Sequence, residues 1–152
     1  MKNGVFEFDK TSQEKSVIQT EKGVFVLENG KVFDVAEYHK NLIKEGINGL
    51  NYPDALLVQT HFEKLKRKNI VDFDDFLVQT KLIKSLIALG KYNVANESMK
   101  GKILEFIVEQ YNDVVGIFEQ KHSPYRFEVL QGKEGYGEVR ERVLGNLEWY
   151  KI

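Results

Sequence analysis

Short segments rich in Val and Phe, separated by turn residues, occupy the first 35 positions of the chain. Val5–Asp9, Ser16–Thr20, Gly23–Glu28 and Lys31–Val35 read as strands on that pattern. Glu28-Asn29-Gly30-Lys31 is the strongest turn signal, because Asn-Gly supplies the two positive-φ residues of a tight hairpin. Thr20-Glu-Lys-Gly23 is a second, weaker turn. Residues 1–35 are therefore expected to form an antiparallel meander of three or four strands. Such a meander is marginal alone and must lean on helices.

From residue 34 the apolar spacing becomes helical. Asp34 with Glu37 makes a capping pattern, and Val35, Tyr38 and Leu42 form one stripe. A loop follows from Gly46 to Tyr52. Pro53 and Asp54 open a second helix that reaches about Lys68. Phe73-Asp74 opens a third, ending near Gly90, with Phe73 placed to staple onto Val78. A long helix covers Glu97–Lys121 and stops at Ser123-Pro124. Residues 125–130 alternate like a strand, Gln131–Gly137 is a glycine-rich loop, and Glu138–Leu144 suits either a short helix or a strand. Leu147–Ile152 reads as extended. The expectation is an α+β fold: an N-terminal β-meander, about four helices and a C-terminal strand region. It forms a single domain over 1–152, divided into a meander (1–35), a helical part (36–122) and a mixed strand and loop part (123–152).

A local repeat lies in the middle of this pattern. Asp54-Ala-Leu-Leu-Val-Gln-Thr-His-Phe-Glu-Lys64 and Asp74-Asp-Phe-Leu-Val-Gln-Thr-Lys-Leu-Ile-Lys84 share Asp, Leu-Val-Gln-Thr and Lys at equal offsets. Such a period can mark a duplicated structural unit. On helical wheels the copies agree at Leu57/Leu77 and Val58/Val78, then diverge at His61/Lys81 and Leu65/Ser85. The shared part reads as two similar helix openings rather than as a functional signature.

The helix of residues 97–121 raises a question of burial. Its apolar residues from Ile103 to Phe118 span an arc of roughly 200°, about twice the stripe of an ordinary surface helix. It is expected either to be the central helix of the fold or to carry a subunit interface. Leu104, Ile107, Tyr111, Val114 and Phe118 keep a 3–4–3–4 spacing that suits a helix pair.

Composition narrows the chemistry. The 152 residues are 42% hydrophobic, enough for a core at this length. Cysteine is absent, which excludes disulfides, thiolate catalysis and Cys-based metal sites and fits a reducing, cytoplasmic setting. The 22 basic and 23 acidic residues are evenly spread, so a strong nonspecific attraction to nucleic acid or anionic lipid is not expected. No apolar run approaches the length of a membrane span.

Candidate chemistry is sparse. The run Lys64, Lys66, Arg67, Lys68 reads as a solvated helix end. His61 is isolated on an apolar face, and Glu119-Gln-Lys-His122 is one copy of a motif that di-iron sites need twice. Asp74-Asp75 reads as capping. No metal and no cofactor is expected. The leading expectation is a small non-enzymatic protein-interaction module, self-associating through an apolar helix face. Its candidate contacts are Val108, Tyr111, Tyr125, Tyr136, Trp149 and Tyr150. One alternative is a DNA-binding regulator with a helix–turn–helix-like segment near 74–104, using Lys91, Lys100 and Lys102. The other is a phosphate-ligand binder whose 132–140 loop offers Gly132, Lys133, Gly135, Gly137 and Arg140. That loop fits neither the Walker nor the dinucleotide spacing. The partner is expected to be a protein or a second copy, not a nucleic acid or a membrane.

Overall fold

The computed structural model describes residues 15–70, 72–121 and 128–150, with side chains for 17–70, 72–120 and 128–147. Three strands, β1 (Lys15–Thr20), β2 (Gly23–Glu28) and β3 (Lys31–Asp34), form one antiparallel sheet in the order β1-β2-β3. The expected strand Val5–Asp9 lies outside the described residues. Asn29 and Gly30 have φ of 52° and 80°, the two positive values that a tight hairpin between twisted strands requires. At the first turn Lys22 N donates to Thr20 Oγ1 at 3.1 Å, and the same hydroxyl donates to Gly23 O at 3.2 Å. Val17 pairs with Val26 and Val26 with Phe33, while Ile18 pairs with Phe25 and Leu27 with Val32.

Five helices follow: α1 (Val35–Gly46), α2 (Tyr52–Leu65), α3 (Phe73–Tyr92), α4 (Glu97–Lys121) and α5 (Tyr136–Tyr150). Asp34 caps α1 by accepting from Glu37 N at 2.7 Å. Asp72 caps α3 in the same way, accepting from Asp75 N at 2.9 Å. Phe73 is thus the first residue of α3 rather than the residue before its cap. It does not staple onto Val78; it is 44% exposed and its ring stacks on Phe76 at 6.4 Å.

The inner face of the sheet rests on α1 and the start of α3. Val24, Val26, Val35, Tyr38 and Phe76 form that core, flanked by Val17, Phe33, Leu42 and Ile70. The central helix is α3, not α4: thirteen of its 20 residues are buried, including Gln79, Thr80, Lys84 and Ser85. α1 approaches α3 at Gly46, where an added Cβ would lie 2.7 and 2.9 Å from Ile87 Cγ1 and Cγ2. α3 and α4 run back along each other as a helical hairpin. Lys81, well before the turn, meets Asp113, well after it, at 3.0 Å. Near the turn Ala88 and Leu89 share a core with Ile103, Phe106 and Ile107. Further along, Leu82, Ile83 and Leu86 share one with Val114 and Phe118.

The C-terminal part departs from the expected strands, while residues 131–135 form the expected loop. Residues 125–127 lie outside the described residues, and 128–130 form no strand. The backbone of Leu130 is satisfied by one side-chain amide: Asn112 Nδ2 donates to Leu130 O at 2.9 Å and Leu130 N donates to Asn112 Oδ1 at 2.8 Å. From Tyr136 the chain is helical through Tyr150, so the extended reading of Leu147 onward is wrong as far as residue 150. The reason is packing: Val139, Val143 and Leu147 are each at most 1% exposed, and burying them against the bundle outweighs the strand preference of Val, Trp and Tyr.

Candidate functional site

The described surface carries one unusual face. By strand alternation, Val17, Gln19, Val24, Val26 and Phe33 point towards α1 and α3, and Ile18, Thr20, Phe25, Leu27, Val32 and Asp34 point away. In an antiparallel sheet with one solvated side the outward set is normally polar. Here it holds four large apolar residues and a single charge. Ile18 is 39% exposed and Val32 63%, while Phe25 and Leu27 are partly covered. None of the four belongs to any of the three buried clusters. A signal for this was present in the chain: Val24-Phe25-Val26-Leu27 is an unbroken apolar run, which marks a strand to be covered on both faces. Among the described residues only one face has its cover.

A second region gathers several residues named from the sequence. At the end of the bundle where α3 turns into α4, the Tyr92 and Tyr136 rings stack at 4.2 Å and 11°. Lys100 Nζ sits 5.3 Å from the Tyr92 centroid. The Tyr136 hydroxyl donates to Leu89 O at 3.0 Å and accepts from Asn93 Nδ2 at 3.4 Å, which also donates to Asp54 Oδ1 at 3.0 Å. Arg140 lies beside the Tyr136 phenol, whose pKa is raised chiefly by burial. Burial also pulls the Lys91 ammonium below its ordinary value. Lys100, Tyr136 and Arg140 thus lie at one end of the bundle, Lys100 over Tyr92 and 3.7 Å from Glu97, and Arg140 beside the Tyr136 hydroxyl. The cluster pins the start of α5 to the end of α3. Lys102 is exposed and points elsewhere, about 200° round α4 from Lys100.

The helical hairpin corrects the helix–turn–helix-like layout of residues 74–104. That motif needs a second helix crossing the first steeply and free to enter a groove. α4 instead lies along α3 as far as Asp113. The long helix is also spent inside the chain. Ile107, Tyr111, Val114 and Phe118 are at most 3% exposed, so this stripe offers no surface for a helix pair. Tyr111 is a core residue whose hydroxyl donates to Glu128 O at 3.1 Å, and burial raises its phenol pKa. Val108 is half-buried and packs on the same core. Tyr125 and the side chains of Trp149 and Tyr150 lie outside the described residues.

The glycine-rich loop holds an anion of its own. The Glu134 carboxylate accepts from Gln131 N, Gly132 N and Lys133 N at 2.8, 2.9 and 3.1 Å. The Gln131 N–H contributes most to holding that carboxyl below its ordinary value. Of the expected phosphate cradle, the Gly132 and Lys133 N–H groups are therefore occupied by a carboxylate of the loop itself.

Among the described residues no group of three or more His, Asp or Glu is placed to hold a metal ion. His61 is half-buried and its Nδ1 pairs with Leu57 O at 2.9 Å, one turn back. No described helix is long and apolar enough to cross a membrane. Comparison with protein-family models, with curated proteins and with solved structures finds no match.

Proposed function

We propose that this chain is a small protein-interaction module and that its docking surface is the outer face of the β-meander. One observation carries the reading: Ile18, Phe25, Leu27 and Val32 form a contiguous apolar face, with Asp34 its only charge, on a sheet whose other side is already packed. Exposed apolar area of this kind costs solubility and is typical of surfaces that are covered by a partner. The apolar run of β2 supports the same reading from the sequence alone. The surface first expected on the long helix moves to the sheet, because α4 uses its apolar arc within the fold.

The test is photo-crosslinking from single positions on the folded chain in extract of its native cells. A photoreactive residue at Ile18 or Val32 is expected to give discrete adducts. The same residue at Lys102 or Glu105, exposed positions on α4, is expected to give none. Equal labelling from all four positions, or no adduct from the sheet, would overturn the reading.

A further inference from the structure

We infer that α5 is a lid, which opens from α3 and α4 as a unit while the rest of the fold stays formed. The first sign lies inside its contact. Asn146 is 2% exposed, yet neither Nδ2 nor Oδ1 of its amide has a hydrogen-bond partner among the described residues. Gln110 on α4 has one such atom, Oε1, whereas Asn146 has both ends of its amide in that state. A buried amide without partners bears its full desolvation cost, and water restores its bonds once the helix lifts. Closing α5 therefore works against itself at this position.

The helix is also weak in its own right. Gly145 sits in its interior with open space around it, Val139 and Val143 lose side-chain freedom in a helix, and its last turn has no basic residue to offset the dipole. It is held by the burial of Val139, Val143 and Leu147, far fewer apolar residues than α3 or α4 commits to the core. Elements with few buried apolar contacts are the ones that open locally.

The attachments divide at a hinge. On one side Leu130 is fixed to α4 by its paired bonds with Asn112, and Glu128 O by the Tyr111 hydroxyl. Residues 131–135 then turn through Gly132, at φ 87°, and the N–H groups of 131–133 bond to Glu134 rather than to the bundle. Beyond them Tyr136 is the latch, through its bond to Leu89 O and its stack on Tyr92. Two further ties are long: Arg142 reaches Glu128 O at 3.4 Å and the Glu128 carboxylate at 3.9 Å. Released, the helix uncovers Ala88, Leu89, Ile103 and Ile107, the apolar floor it shares with Val139 and Val143.

Native-state hydrogen exchange of the full-length chain, read amide by amide by NMR at urea concentrations below unfolding, tests the lid. The amides of residues 140–147 are expected to be at least about tenfold less protected than those of Leu82–Leu86 and Ile103–Ile107, with a shallower urea dependence. Leu130 N, bonded to Asn112, is expected to stay with the slower set. Tyr136→Phe removes the latch bond and should speed exchange at 140–147 roughly two- to tenfold. Asn146→Leu, of similar volume, removes the orphaned amide and should slow it by about fivefold or more. Equal protection and equal urea dependence of α5 and α3 would overturn the lid. Loss of Leu130 protection together with α5 would overturn the hinge at 131–135. Faster exchange at 140–147 in Asn146→Leu would mean a satisfied amide and remove the reason for opening. Should that variant fail to fold, the wild-type comparison and Tyr136→Phe decide.

Discussion

Gln59 and Gln79 occupy the same place in the two copies of Leu-Val-Gln-Thr, and the fold gives them opposite tasks. Gln79 is 3% exposed. Its Nε2 donates at 2.9 Å to Leu65 O, a carbonyl at the end of α2 that also accepts from Lys68 N at 3.0 Å, and its Oε1 accepts from His39 Nδ1 at 3.0 Å. The other ring nitrogen of His39 pairs with the Thr80 hydroxyl at 2.7 Å. Gln59 is half-buried and bonds only within its own helix, to Glu63 Oε2 at 3.0 Å. Gln79→Ala takes the Gln79 partner from the buried His39 Nδ1, while Leu65 O keeps its bond from Lys68 N at 3.0 Å, so a loss of about 1–3 kcal/mol is expected. That is a large share of the ~5–15 kcal/mol typical of a domain. Gln59→Ala removes one helix-surface pair and is expected to change stability by less than about 0.5 kcal/mol. Urea unfolding followed by circular dichroism reads both as midpoint shifts at constant slope. If the two variants shift the midpoint equally, or Gln79→Ala leaves it unmoved, the different roles assigned to the two copies are wrong.

Other consequences follow from single sites. Gly46→Ala pushes a methyl into Ile87 and is expected to cost about 1–3 kcal/mol. Gly101→Ala, on an exposed turn of α4 with open space around it, is expected to gain about 0.5–1 kcal/mol. Thermal unfolding of the pair should therefore move in opposite directions. Tyr136→Phe removes the bond to Leu89 O and should lower stability by about 0.5–1.5 kcal/mol in the same measurement. Glu134 has its folded pKa depressed, so its contribution is present above the unfolded value and is lost as pH falls through the lower folded one. The amides of residues 131–133 should titrate with a midpoint below the usual glutamate range. Glu134→Gln should abolish that titration, and a midpoint in the ordinary range would contradict the geometry of the loop.

Local signals carried the first half of the fold. Asn29-Gly30 set the hairpin, Asp34 capped α1, and strand and helix boundaries from Gly23 to Lys121 fell within a few residues of those read from the chain. The errors arise where tertiary packing decides. α4 has the wider apolar arc, yet α3 is central, because the interior accepts Gln79, Thr80, Lys84 and Ser85 that a helical wheel assigns to solvent. The Gln79 and Thr80 side chains serve His39, forty residues away in sequence, a partner that no local pattern announces. α5 was half legible: Val139, Val143 and Leu147 share a helical face, but Gly145 and the β-preferring residues around it argue for a strand until the bundle is there to bury them. The candidate face left one trace in the chain. An alternating strand and a doubly apolar strand differ in one feature, the run Val24–Leu27, and only the register shows that Ile18 and Val32 extend it onto both neighbours.

The most direct test compares the wild-type chain with Ile18→Lys/Val32→Lys in a partner-capture experiment, with unfolding measured on the same samples. Because both residues face outward, the account predicts a stability change within about 1 kcal/mol, the span of strand preferences, and loss of the partner. Capture undiminished by the two lysines, or a variant that unfolds, would contradict the claim that this face, uncovered among the described residues, is made for docking.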